Sequence, residues 1–406
     1  MRRTRSAGAL AAGLLLILWR PAGAQPVIDW NDIEEQLDAH PALSAAAAAV
    51  ETAAGERAAA GQYPNPELGL EYGRAEPHEG DGGAVWGVEL GVPILSWGSY
   101  RGGIRAAAAE LDAARQEAAA QRRTVRRQLK GLFWKLIHAQ SRMEALDRSQ
   151  TNLSQLVSLG RLRVERGEAR PLEVTRLEIE LARVDIDVAT TREDLADKRR
   201  RLNLWLGSPW PDSFRVAAEL TELPRIPSAE AELLAAAREH PEVMAASHRI
   251  DAADARVQEQ RWKRLPDLSV GGFYEEDLED HGMGVTLGLS LPVWNWNSGA
   301  IQRAQAAEKR ARYQYELTQR RIQTAIEENR TQAAAAAASA RSLRDIVLPK
   351  ARDAAETLER MYQVGEVGVM DLIDARRSLI AVELEMLAAC RDAQLANEDL
   401  QLLIGG

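Results

Sequence analysis

Cysteine is nearly absent from this chain, Cys390 being the only one. A lone thiol excludes an intrachain disulfide framework and a thiolate metal cage; a buried structural role is expected for it. Long apolar runs are equally scarce. Beyond residue 24 there is no stretch of about 18 uncharged apolar residues, so no transmembrane helix is expected there. The signatures GxxxxGK(S/T), GxSxG and HExxH are all missing, and neither catalysis nor a cofactor is expected. The six histidines do not converge by spacing. His240 and His248 are expected on one helix face and His78 and His281 in strand loops, so no metal site is expected either. Positive charge is not in excess, the formal net charge being −9. An acidic chain argues against nucleic acid, which rewards basic patches.

The first 24 residues are distinct. Arg2, Arg3 and Arg5 form a basic region, Ala7 to Leu18 an apolar one, and Ala22-Gly23-Ala24 a small-residue cleavage site. This is the pattern of a cleaved secretory signal, and the apolar run is too short to span about 30 Å of hydrocarbon. Cleavage would leave Gln25 first, with no cysteine to carry a lipid. Losing the four arginines Arg2, Arg3, Arg5 and Arg20 would take the charge from −9 to −13.

What the remainder has is a repeat, which must be sought before secondary structure. His40-Pro41 recurs as His240-Pro241, Pro66-Glu67-Leu68 as Pro266-Asp267-Leu268, and Pro93…Trp97 as Pro292…Trp296. Gly167-Glu168 recurs as Gly365-Glu366, and Leu206-Gly207 as Ile404-Gly405. The expected organisation is a signal over 1–24, a first unit over 25–207, a linker over 208–228 and a second unit over 229–406. The linker carries Pro209, Pro211, Pro224 and Pro227, too many for a continuous helix.

Each unit opens with an Ala-rich helix, expected over Trp30 to Gly61 and Ala229 to Arg264. Two short alternating strands follow. Trp86, Val88, Leu90 and Val92 alternate with Gly87, Glu89 and Gly91; Val285, Leu287, Leu289 and Leu291 alternate with Thr286, Gly288 and Ser290. Leu68, Leu70 and Tyr72 do likewise with Gly69 and Glu71. One face is apolar and the other tiny or polar, over about ten residues, enough for a tilted strand to cross a bilayer. Loops are expected over Gly73 to Ala84 and Glu275 to Gly282. Four strands cannot close a barrel, and open edges are not viable in lipid. Three copies would supply twelve, an even number within the known range.

Two long helices complete each unit, expected over Ser99 to Glu165 and Pro171 to Leu206, then Ser298 to Val364 and Met370 to Ile404, with a bend at Pro349. Their apolar spacing is 4-3: Val125, Leu129, Leu132, Leu136, Ala139, Met143 and Leu146 make one seam. Leu177, Leu181, Val184, Val188 and Leu195 make another, and Leu372 to Leu403 a third. Such a repeat gives supercoiled neighbours. The fold class is therefore mixed α and transmembrane β, mostly α, with a duplicated strand pair and long helical hairpin.

Pro64-Asn65-Pro66-Glu67-Leu68-Gly69-Leu70-Glu71, Pro292…Gly299 and above all Leu348-Pro349 followed by Tyr362…Arg376 carry a family likeness. Across almost the whole mature chain the sequence resembles the TolC-type outer membrane factor family, nearest its CzcC-like heavy-metal efflux subgroup. The resemblance implies a homotrimer in outer-membrane lipid, a twelve-stranded barrel above a periplasmic helical barrel, a periplasmic membrane-fusion adaptor and an inner-membrane resistance-nodulation-division (RND) pump. The lipobox cysteine of some members is absent. Drug, solvent or type I protein export by the same duct stays open, as does a periplasmic adaptor, which would have a single hairpin between split β domains.

The hairpin tips are expected to dock the adaptor through Val164, Arg166, Gly167, Glu168, Arg170 and Pro171, and through Val364, Gly365, Glu366, Gly368 and Met370. Gly167 and Gly365 would reverse the chain, or merely cap helices. Asp371 and Asp374 share a helix face; repeated by threefold symmetry they would form a carboxylate ring, a device for admitting cations, unless they are solvated surface charge. Trp86, Trp97, Trp294 and Trp296 fall at strand ends and are candidates for an interfacial aromatic belt. The first tip is basic (Arg163, Arg166, Arg170), the second acidic.

Overall fold

The computed structural model describes residues 26–75, 82–94, 96–227, 230–277 and 281–405. The expected signal, His78 and residues 76–81 and 278–280 of the two expected loops lie outside the described residues; the flanks of those loops, Gly73 to Ala75, Gly83 to Ala84, Glu275 to Glu276 and His281 to Gly282, are strand. The chain runs β1 (Val27–Ile28), α1 (Trp30–Glu35), α2 (Pro41–Ala60), β2 (Glu67–Ala75), β3 (Gly83–Ile94), α3 (Trp97–Glu165) and α4 (Pro171–Trp205). Then come β4 (Arg215–Val216), α5 (Glu230–Arg238), α6 (Pro241–Trp262), β5 (Asp267–Glu276), β6 (His281–Ser290), α7 (Ser298–Ser342), α8 (Leu348–Gln363) and α9 (Val369–Ile404). Apart from the short β1–β4 pair, the two halves repeat one order of elements.

Both Ala-rich helices expected to be continuous are broken. A residue before proline is pushed out of the helical region, and His40 (φ −69°, ψ 130°) and His240 (φ −62°, ψ 131°) are extended. Each becomes an N-cap, its Nδ1 accepting from the backbone N–H two residues on, Ala42 at 3.2 Å and Glu242 at 3.3 Å. His240 is thus a buried cap, not a partner of His248 on one helix face. His281, expected in a loop, is the first residue of β6, paired with Glu276.

α3 runs 69 residues without a break, about 100 Å at 1.5 Å per residue. Its second-copy counterpart is divided by a π-helical turn over Leu343–Val347, just ahead of Pro349. A proline inside an α-helix lacks one donor and crowds the carbonyl four residues back; the wider π turn makes room.

The seams hold the helices together. Val125, Leu129, Leu136, Ala139 and Leu146 are buried on α3, with Leu177, Val184, Val188 and Leu195 on α4 and Leu372, Met386, Ala393, Leu400 and Leu403 on α9. Cys390 is wholly buried, its Sγ 3.5 Å from the Met386 sulfur, and burial pushes its thiol pKa up.

The segment expected to be a plain linker is part of this core. Arg215–Val216 pairs in parallel with Val27–Ile28, and Phe214, Val216 and Leu220 are buried against α3 and α9. Gln140 exchanges two hydrogen bonds with the Val216 backbone, at 3.2 and 3.1 Å, while Gln394 donates to the Glu222 carbonyl at 2.5 Å. Composition marks the prolines of this segment but not the apolar residues set between them.

Candidate transport site: the strand wall and the helical tips

Four strands form one antiparallel sheet in the order β2-β3-β5-β6, leaving β2 and β6 as open edges. Register sorts most of their side chains onto two faces. Trp86 stands opposite Tyr72, Val88 opposite Leu70 and Tyr274, Val92 opposite Val270, and Leu287 opposite Val270. One face is therefore apolar along most of its length, with Arg74, Glu276 and His281 standing at its loop end. It is uncovered: Leu70 is 75 % exposed, Tyr72 80 %, Val285 78 % and Leu287 70 %. So large an apolar patch marks a surface that meets lipid or protein.

The opposite face carries Glu67, Glu71, Glu89, Asp267 and Glu275 among Gly69, Gly87, Gly91, Gly271, Gly284 and Gly288, with Val85, Pro93 and Phe273 as its apolar members. No lysine or arginine stands on it among the described strand residues. Thr286 donates to Glu89 at 3.2 Å. A wall apolar on one side and acidic on the other suits a strand segment between lipid and water. Alternation in the sequence exposes Glu71 and Glu89; Glu67, Asp267 and Glu275 join them only once register is known.

The aromatic candidates divide between the two ends of this wall. Trp86, near the loop end of β3, lies 5.4 Å from Tyr274 ring to ring. Trp97 opens α3, and Trp294 and Trp296 follow β6 at the helical end. All four are exposed, Trp294 at 95 %.

At the other extreme of the molecule the helices turn. Gly167 (φ +75°) and Gly365 (φ +83°) both take the left-handed conformation. The Glu168 N–H reaches the Arg163 carbonyl at 2.8 Å and Gly167 reaches Val164 at 2.9 Å; Glu366 reaches Met361 at 2.9 Å and Gly365 reaches Tyr362 at 3.1 Å. These paired bonds are the glycine-closed helix end known as the Schellman motif. Arg170 and Gly368 then begin α4 and α9. Arg166, Gly167, Glu168, Arg170, Pro171, Gly365, Glu366 and Gly368 are exposed, Val164 is half-buried, and Val364 and Met370 expose apolar surface.

Arg163 behaves otherwise. It bridges the two tips, lying 3.9 Å from the Glu168 carboxylate of its own turn while donating to the Tyr362 carbonyl at 3.1 Å, 4.9 Å from that ring's centre. Burial pushes the Tyr362 phenol pKa up, with Arg163 opposing. Arg377 of α9 pairs likewise with Glu180 of α4. These partners lie some 200 residues apart in sequence, so no local pattern predicts them. Asp371 and Asp374 are exposed and line a groove of about 560 Å³ with Ala351, Ala354 and Leu358 of α8. No three His, Cys, Asp or Glu side chains among the described residues are placed to hold a metal ion, nor is any described helix apolar enough to cross a membrane.

The outer membrane efflux protein family matches residues 33–208 and again 233–406. The chain belongs to this family. As a member it is an outer-membrane efflux channel component. It is 25 % identical to the cobalt-zinc-cadmium resistance protein CzcC of Cupriavidus metallidurans over 368 residues, 89 % of this chain and 86 % of that one. It is also 25 % identical to the pyoverdine export outer membrane protein OpmQ of Pseudomonas putida over 421 residues, covering 96 % and 87 %. The solved structure of CusC, a transmembrane channel, has the same fold: TM-score 0.77 over 93 % of this chain and 92 % of that one, at 15 % identity.

Proposed function

We propose that three copies of this outer membrane efflux protein close a twelve-stranded barrel in outer-membrane lipid. Their helices would form a periplasmic tunnel, through which an inner-membrane RND pump and a periplasmic adaptor expel divalent heavy-metal cations. The observation that carries this reading is the sheet: a half-apolar, half-acidic wall with two unpaired edges, which no single copy can close. Open sheet edges with free N–H and C=O groups are untenable in hydrocarbon, whereas a ring of copies leaves none.

The tips support the adaptor part. Val164 to Leu172 and Val364 to Met370 form two tight turns that expose apolar residues where the chain is furthest from the sheet, a fitting end for a docking partner. Asp371 and Asp374 support the gate part. The buried segment around Glu222 packs on α9 at Gln394. At 100° per residue Asp371, Asp374 and Ser378 point roughly 140–200° away from that side. If the segment lies outside the tunnel, these carboxylates face its lumen, where symmetry would assemble them into a ring attractive to cations.

The cation substrate rests on the likeness to CzcC together with the acidic wall. The equal likeness to a pyoverdine exporter favours organic cargo as the second reading. Deleting the gene and growing the strain on a panel of divalent cations and drugs separates them. Sensitivity to cations is expected; sensitivity to drugs alone would end the cation assignment and leave the channel.

A further inference from the structure

Below the apolar face of the sheet lies a cluster of cations and indoles that neither the strand wall nor the tips require. Ile94, Leu268 and Leu289 pair across β3, β5 and β6 as an apolar row at the helical end. The chain leaves this row through Trp97 on one side and reaches it through Arg264 on the other. A Cβ on Gly98 would come 2.0 Å from the Trp262 indole, so the end of α6 rests on the first turn of α3. The Arg101 guanidinium lies 4.6 Å from the centre of the Trp97 ring. Arg264 donates to the Trp296 carbonyl at 3.2 Å, and Lys263 pairs with Glu259 at 2.5 Å. Both indoles stay open to the surroundings, Trp97 at 66 % and Trp262 at 46 %.

The charge here is uncompensated. Residues 97–105 and 259–266 hold five cations (Arg101, Arg105, Arg261, Lys263, Arg264) and one carboxylate, Glu259, an excess of four in a chain whose formal total is −9. The four arginines are exposed and have no ion partner among the described residues. Trp97, Arg101 and Arg105 fall within about 80° of one another on α3, away from Ser99 and Gly103. At the opposite rim of the sheet Glu275, Glu276 and Asp277 crowd the end of β5, with Arg74 as the cation of β2.

The turn itself does not demand this charge, because its counterpart does without it. α2 and α6 align at an offset of 200 residues, fixed by the two histidine caps. α3 and α7 align at 197: Tyr100 donates to the Gly61 carbonyl as Asn297 does to that of Gln260, and buried Val125 and Leu129 match buried Ile322 and Ile326. At these offsets Arg261, Lys263 and Arg264 become Gly61, Tyr63 and Pro64, while Arg101 and Arg105 become Ser298 and Gln302. The same passage between strand and helix is built twice, once basic and once neutral.

We infer that the α3–α6 junction binds the phosphate of an anionic phospholipid in the leaflet facing the helices, one lipid to each chain. Guanidinium groups meet a phosphate with paired N–H donors; Arg101 and Arg264 supply them from two elements, and Lys263 adds a third charge. Trp97 and Trp262 take the headgroup level where indoles settle, and the stack on Trp97 holds Arg101 in place. The acyl chains lie along Ile94, Leu268 and Leu289. A zwitterionic lipid fits less well, since its ammonium meets an excess of cations. This rests on the outer-membrane reading and names the lipid that the channel would retain there.

The full-length channel, purified in detergent and exposed to equal amounts of phosphatidylglycerol and phosphatidylethanolamine, tests it by native mass spectrometry. Phosphatidylglycerol should be retained preferentially, and Arg101→Gln and Arg264→Gln should each weaken its retention about fivefold. Arg74→Gln, which removes one cation from the opposite rim, should leave retention unchanged. Vesicles give a second readout: brominated phosphatidylglycerol should quench tryptophan fluorescence more than brominated phosphatidylethanolamine in the parent, and equally in the double variant Arg101→Gln, Arg264→Gln. A parent channel without preference, or a preference that Arg74→Gln weakens as much as Arg101→Gln does, overturns the site. Tighter retention of lipid A than of phosphatidylglycerol moves the phosphate to the other leaflet and overturns it too. Recovery of the protein from the soluble periplasmic fraction would instead overturn the membrane reading on which the site rests.

Discussion

Gly167 and Gly365 are the residues on which each hairpin turns, and their backbone angles make a sharp demand. A side chain in the left-handed region costs roughly 1–2 kcal/mol. Gly167→Ala and Gly365→Ala should each lower the thermal unfolding midpoint, and a variant that melts with the parent protein would show that the turn relaxes freely. His138 makes a different demand. Burial, aided by Arg391 and Arg142 and opposed by Asp392 and Asp194, lowers its pKa to about 4. Above pH 6.5 the imidazole is neutral whether the chain is folded or not. Between 6.5 and about 4 only the unfolded chain takes the proton, so stability falls as pH drops through that window. Melting curves across it should flatten in His138→Gln; an unchanged slope would assign the loss to other groups. The glycines were legible in the sequence because the Gly-Glu pair recurs with its surroundings. His138 was not, since its burial and most of the charges around it come from packing against α4 and α9, only Arg142 being a neighbour on its own helix.

The π turn of Leu343–Val347 shows how an element accommodates one residue. α3 and α7 align at 197 residues before it, while Gly167 and Gly365 align at 198 after it, so the second copy carries one extra residue, absorbed there. Removing Ile346 should force an α-helical path through Pro349, at a cost of about 3 kcal/mol. Adding Pro349→Ala should recover most of that in denaturant melts, and no recovery would mean that the π turn has another cause. In α9, Asp371→Asn with Asp374→Asn should reduce cation preference in bilayer recordings of the purified channel; unchanged selectivity would remove the carboxylate ring. Helix seams were readable because a 4-3 spacing survives without knowledge of partners. The breaks at His40 and His240 were readable in principle, from the restriction that Pro41 and Pro241 impose. The packing of Phe214, Val216 and Leu220 was not, because a Pro-rich stretch hides its few apolar residues among turn formers.

At the scale of the whole molecule, one chain carries an open four-stranded sheet and two long helical hairpins. Strand alternation alone implied a two-faced wall, and counting to four implied that it could not close. Register added the sorting of Glu67, Glu71, Glu89, Asp267 and Glu275 onto one face. Where the two tips diverge in charge, the proposed assembly would give them an adaptor as neighbour. All of this depends on copies closing a ring in the outer membrane. The most direct test is the mass of the native particle released from purified outer membranes by mild detergent. A particle of three chains that falls to one on boiling is the expected result. A one-chain particle, or recovery of the protein from the soluble periplasmic fraction, would contradict it.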